Sequence, residues 1–129
     1  MKISRVLRIT LGTCLALSGM ASAQKWQSLK HPPTFQTDTA LLLTDGRAMV
    51  HEYRSPNWWA LTPDRSGSYL NGTWKQLGSM PSNYAPLYFA SNMLPDGRVL
   101  VEGGEYNFVQ QDETNLGAIY DPLTDKWTT

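Results

Sequence analysis

The chain has 129 residues, 41% of them hydrophobic, with 11 basic and 11 acidic side chains and one cysteine, Cys14. Charge so balanced, with no basic stripe, excludes an electrostatic nucleic-acid binder. A lone cysteine excludes a disulfide scaffold.

Lys2, Arg5 and Arg8 give a basic start, Val6 to Leu17 is mostly apolar, and Ala21-Ser22-Ala23 is a small-residue cleavage site. Residues 1–23 therefore read as a secretory signal peptide. The apolar run is too short for a membrane span of about 20 residues. It also continues past Cys14, which fits a lipoprotein signal poorly. Cleavage removes three of the 11 basic residues, none of the 11 acidic ones, and the only cysteine. The exported chain is then mildly acidic and is held together without disulfides in an oxidising compartment.

From Gln24 onward the pattern predicts strands throughout and no helix. Trp26 opens a Trp-x-x-Leu stretch that reads as a strand. Thr39 to Leu43 runs into Thr44-Asp45-Gly46-Arg47, and Ala48-Met49-Val50 leaves it. Asp-Gly between apolar runs is a hairpin signal, because Gly reaches positive φ without a side-chain clash. A polar loop with Arg54-Ser55-Pro56-Asn57 leads to a third strand, Trp58 to Leu61. A turn at Asn71-Gly72 then leads to a fourth strand bearing Trp74. The second half repeats the plan. Leu87 to Leu94 and Val99 to Val101 flank Pro95-Asp96-Gly97-Arg98, a polar loop covers Asn107 to Thr114, and Leu116 to Tyr120 is the third strand. A turn at Pro122 to Asp125 precedes the strand of Trp127.

The tryptophans and the Asp-Gly-Arg turns thus recur at roughly fifty residues, a period that marks one supersecondary unit used repeatedly. Four short strands per unit, with a Trp on the last, describe a propeller blade. The second unit resembles the kelch repeat: Gly103-Gly104 ends a strand, Tyr120-Asp121-Pro122 follows on the third strand, and Trp127 closes the unit. The first unit is degenerate, with His51-Glu52-Tyr53 in place of the double glycine and Thr62-Pro63-Asp64 in place of Tyr-Asp-Pro. The expected fold is all-β, an incomplete kelch-type β-propeller with blades of four antiparallel strands. Residues 24–34 form the closing strand of another blade, 35–80 a degenerate blade and 81–129 a second blade. Propellers need about 4–8 blades, so further blades are expected in cis or, as a poorer second, in trans.

The resemblance includes galactose-oxidase-like copper proteins, sugar mutarotases and protein-binding modules. The oxidase pattern of a Cys–Tyr cross-link, a second Tyr and two His is absent from the exported chain, which has no cysteine and only His31 and His51. Neither histidine matches that ligand pattern, so no metal residue and no catalytic residue is assigned. Copper enters only if downstream blades supply its ligands. Among loop residues, Glu105, Tyr106 and Asn107, beside Glu102 and the double glycine, are the binding candidates, set against a plain role in solvating a turn. Trp58-Trp59 with Tyr53 could form a sugar-stacking platform, although alternation favours a core role for at least one Trp. Ser79, Ser82 and Ser91 sit in no nucleophile motif. The expected role is binding a protein or carbohydrate, secreted or periplasmic, as part of a larger propeller. The alternatives are the N-terminal part of a copper oxidase or mutarotase, and a truncated structural remnant.

Overall fold

A computed structural model describes residues 25–129; the expected signal peptide, residues 1–23, and Cys14 lie outside the described residues. The described chain is antiparallel β-structure, with one 3₁₀ turn at Tyr69–Asn71. Strands β1 (Thr37–Leu42), β2 (Ala48–Glu52), β3 (Trp58–Thr62) and β4 (Thr73–Gln76) form one four-stranded sheet in sequential order. A small sheet joins β5 (Pro86–Leu87), β8 (Tyr106–Asn107) and β9 (Gln110–Gln111). The second four-stranded sheet contains β6 (Ala90–Met93), β7 (Val99–Glu102), β10 (Gly117–Asp121) and β11 (Lys126–Thr128), again in chain order.

Both Asp-Gly-Arg turns are built alike. The Leu43 N–H donates to Arg47 O and the Gly46 N–H to Leu43 O; Leu94, Arg98 and Gly97 repeat the pair. Gly46 and Gly97 stand at φ 84° and 85°. Each loop is therefore a three-residue hairpin, a turn closed by a left-handed glycine, rather than the two-residue form in which Asp would also need positive φ. Asp45 then accepts from the backbone and side chain of Arg47, as Asp96 does from Arg98.

Asn71-Gly72 is not the hairpin turn expected of it. The reversal between β3 and β4 occurs at Asp64–Ser68 with Gly67 at φ 82°, while Gly72 has an ordinary φ of −63°. Asn71 instead donates its amide to Asp64 at 2.9 Å. The predicted strand from Leu87 to Leu94 is also interrupted. Tyr88 adopts φ 52°, which sends Leu87 into the small sheet and Ala90 into the large one.

The two large sheets pack face to face. Alternation places Met49, His51, Trp58 and Ala60 on the face of the first sheet that meets Val99, Val101, Ala118 and Tyr120 of the second. Trp58, wholly buried, lies at the joint, with ring centroids 4.8 Å from His51 and 5.7 Å from Trp127. Burying a Trp removes roughly 150–250 Å² from water, so this contact contributes a large part of the core.

The opposite face of the first sheet carries Val50, Trp59, Leu61 and Trp74, and residues 30–36 cross it. Phe35 stacks on Trp59 at 4.6 Å and meets Trp74 edge-on at 5.4 Å. Trp74 donates its indole hydrogen to His31 O at 3.0 Å, much as Trp127 donates to Gly78 O at 2.8 Å. Register makes the correspondence explicit, since Leu61 pairs with Trp74 as Tyr120 pairs with Trp127. Residues 25–34 make no ladder pair among the described residues, and Trp26 is fully exposed.

Candidate functional site

Successive connections of an up-and-down sheet alternate between its two ends. The Asp-Gly-Arg turns, the Asp64–Ser68 turn and the β10–β11 turn share one end. The β2–β3 and β7–β10 connections share the other. At the first end, Thr44, Asp45, Asp96, Gly97, Arg98, Asp121, Pro122 and Leu123 line a cleft of about 240 Å³. Its charges are spent internally. Arg47 pairs with Asp45 at 2.7 Å and Arg98 with Asp96 at 2.8 Å, and these side-chain hydrogen bonds hold both carboxyls below their ordinary values. Asp121 accepts from the Leu123 N–H. A cleft so satisfied offers little to a ligand.

The opposite end is different. Arg54, Tyr88 and Phe108 stand there at φ 56°, 52° and 57°, three of the four non-glycine residues with positive φ among the described residues. For a bulky side chain that conformation is an outlier, with a backbone strain of about 1–2 kcal/mol. Strain of this kind concentrates at functional surfaces. The same end leaves aromatic groups in solvent, Tyr88 at 69% and Phe108 at 37%, beside Val109 at 62%, whereas the exposed apolar groups at the first end, Leu42 and Leu123, are aliphatic.

Local structure accounts for this display. Gly103 and Gly104 have φ of 70° and 140°, and a Cβ on Gly104 would lie 2.9 Å from Pro86 Cβ. The double glycine therefore lets the chain leave β7 and fold against β5. Buried Tyr84 fixes that corner by donating its hydroxyl to Gly103 O at 2.7 Å, and burial pushes its phenol up to about 12. The chain then forms a hairpin in which Asn107 pairs with Gln110 across the two-residue tip Phe108-Val109.

Of the sequence candidates, Tyr106 joins this surface, its ring edge-to-face with Tyr88 at 6.0 Å. Glu105 is exposed and its N–H donates to Leu87 O. Asn107 braces the backbone with both ends of its amide. Its amide donates to Asn83 O at 3.0 Å, and its carbonyl accepts from the Ala85 N–H at 2.9 Å. Residues 107–114 are not a plain polar loop, since they contain half of the β8–β9 hairpin. The aromatic platform of Trp58, Trp59 and Tyr53 does not assemble. Trp58 is in the core, Trp59 lies against Phe35 and donates to Glu52, and Tyr53 carries the Arg54 guanidinium 5.1 Å above its ring. Tyr88, Phe108 and Val109, exposed at this end, were not among the sequence candidates. The one sequence signal for the tip is an apolar pair inside an otherwise polar stretch.

His51 is wholly buried. Its Nε2 lies 2.8 Å from Ser55 O, which can only accept, so Nε2 carries the hydrogen; Nδ1 lies 3.3 Å from Asp38 Oδ2. His31 instead lies across the other face of the first sheet, with Nδ1 3.2 Å from Gly72 O. The two histidines do not converge. Among the described residues no group of three His, Cys, Asp or Glu side chains is placed to hold a metal ion. The described His, Asp and Glu side chains thus do not assemble a copper centre among themselves. Among the described residues no helix is long and apolar enough to cross a membrane.

No family model and no curated protein matches the chain. Among solved structures it is similar to a fungal alcohol oxidase of the AA5 family, in complex with copper. The two share 25% identity over 69% of this chain, with a TM-score of 0.53. The match spans 17% of the oxidase chain. The all-β architecture of antiparallel four-stranded sheets is therefore also that of a region of a galactose-oxidase-like protein.

Proposed function

We propose that the chain is an exported segment of a larger kelch-type β-propeller and binds a protein or carbohydrate ligand through the end carrying Tyr88, Tyr106 and Phe108. The observation that carries the binding reading is the gathering of left-handed bulky residues and exposed aromatics at one end, while at the other Asp45 and Asp96 are paired with Arg47 and Arg98. Exposed apolar patches rimmed by polar groups mark interaction sites. The propeller reading is supported by the correspondence of sheet faces. Phe35 stands to Trp74 as Trp58 stands to Trp127, which is how successive blades relate. The test is a glycan array and a peptide array probed with the exported chain and with a Tyr88→Ser variant. Ligands bound by the wild type and lost by the variant support the reading; binding unchanged in the variant overturns the site assignment.

A second reading is favoured by the likeness to the copper-complexed oxidase: the chain forms the N-terminal part of an AA5-like enzyme whose remaining blades carry the metal ligands. Copper titration of the longest product of the locus, followed by paramagnetic resonance, tests it. A protein-bound copper signal from that product, absent for residues 24–129 alone, supports the enzyme; no such signal from the longer product removes it.

A further inference from the structure

The Phe108-Val109 tip breaks a local rule. A two-residue hairpin whose first loop residue has positive φ is normally built with Gly, Asn or Asp at that position. Here the position holds Phe108 at φ 57°, and both tip residues are exposed. A glycine would make the same turn without strain, so the turn does not explain the ring.

Charge on this end is one-sided. No Lys, Arg or His occurs between Arg98 and Lys126, whereas Glu102, Glu105, Asp112 and Glu113 fall within that interval. All four carboxylates are exposed, and among the described residues none of them makes an ion pair. The basic side chain at this end, Arg54, is already stacked over Tyr53. An apolar centre of Tyr88, Tyr106, Phe108 and Val109 with an acidic surround has the anatomy of a protein-binding patch. It complements a cationic partner and repels nucleic acid or an anionic membrane. The small sheet adds a backbone element, because β9 is its edge strand, exposed and unpaired on its outer side among the described residues. Such an edge can accept an extended peptide as a further strand.

We propose that this end docks an extended protein segment in which basic and apolar residues alternate, laid along β9 with its cations toward Glu105, Asp112 and Glu113 and its apolar side chains against the Phe108-Val109 tip. The proposal rests on reading this end as a binding surface and narrows the ligand to a basic peptide.

The test uses the exported chain and fluorescent octapeptides alternating Lys with Leu, or Glu with Leu, read by anisotropy. The Lys-Leu peptide binds, weakening at least about tenfold from low to high salt as screening removes the charge attraction; the Glu-Leu peptide does not. Phe108→Gly separates structure from recognition, because it relieves the backbone while removing the ring. Its midpoint of unfolding rises or holds, and its affinity for the Lys-Leu peptide falls about tenfold. Glu105→Gln with Asp112→Asn and Glu113→Gln lowers affinity and flattens the salt dependence. Equal binding of the two peptides, or full affinity in Phe108→Gly, overturns the proposal. Binding of cellohexaose in place of the peptide also overturns it while leaving the broader binding role intact. Binding of mixed phosphatidylcholine–phosphatidylserine vesicles in its place overturns it in favour of a lipid contact, and binding of none of these probes rejects the basic-peptide assignment.

Discussion

Trp58 and Trp127 touch at the joint between the large sheets, yet they differ in one respect that decides their energetics. Trp58 is wholly buried and its indole N–H has no acceptor, whereas Trp127 is half-buried and donates to Gly78 O at 2.8 Å. Burial alone ranks Trp58→Phe as the costlier change. Truncating indole to phenyl forfeits roughly 40–60 Å² of buried apolar surface, about 1–1.5 kcal/mol. At Trp58 the same change removes an unsatisfied buried donor, whose burden is about 1–3 kcal/mol, so the two effects nearly cancel. At Trp127 the smaller packing loss adds to a lost hydrogen bond worth about 1 kcal/mol, giving about 1.5–2 kcal/mol. Trp127→Phe is therefore expected to be the more destabilising by at least about 1 kcal/mol. Equilibrium urea unfolding followed by far-UV circular dichroism, with m-values compared between variants, measures this. Trp58→Phe costing more than Trp127→Phe would refute the assignment of an orphan donor at the joint.

Three further perturbations follow from single hydrogen-bonded groups. Asp64 accepts from Ser66, Ser68 and Asn71, which holds its carboxyl at about 2. The folded value lies below the unfolded one of about 3.9, so its stabilisation is present above about pH 4 and is lost as pH falls through about 2. Asp64→Asn should flatten the acid limb of stability in that window, and an unchanged slope would exclude the network. Asp125 Oδ1 accepts from the Gly78 N–H at 2.8 Å and the Tyr120 hydroxyl at 2.7 Å, tying the β10–β11 turn to the linker between the sheets. Discounted for partial exposure, Asp125→Ala should lose about 2 kcal/mol in chemical denaturation. Asp125→Asn should lose less, since Asn keeps an acceptor and tolerates the left-handed φ of 55°. Tyr84→Phe removes the bond to Gly103 O, so hydrogen exchange should quicken at Gly103 and the β8–β9 hairpin before it quickens in β2 or β3; uniform acceleration would mean a global effect only.

The sequence made the turns at Gly46 and Gly97, the alternation of β2, β3, β7 and β10, and the correspondence of Trp74 with Trp127 legible, because each is a local pattern with a local cause. The subtype of the Asp-Gly-Arg turns was not legible, since it depends on whether Asp45 takes positive φ. Tyr88 shows the limit most clearly. No propensity places a tyrosine in the left-handed region, so the break between Leu87 and Ala90 arises from tertiary demands of the small sheet. Phe108 is parallel: the hairpin hides because its tip lacks the turn chemistry that announces one. Of the site candidates, Tyr106 drew notice because it lies beside the double glycine, and its ring meets that of Tyr88. The bracing of Asn107 was not legible, because sequence does not distinguish an amide facing solvent from one clasping the backbone of Asn83 and Ala85.

The strap of residues 30–36 has a bearing on how such modules grow. Because the strap face of the first sheet corresponds to the inner face of the second, the unit has a head and a tail that differ chemically. A contact between copies that repeats the joint of the two sheets therefore pairs unlike faces. An association that repeats that joint runs head to tail, a geometry that propagates as an open filament unless its rotation closes a ring. Phe35, seated on Trp59 and Trp74, occupies the head. One aromatic ring thus covers the face through which such a repeat would extend, and its removal should favour head-to-tail association.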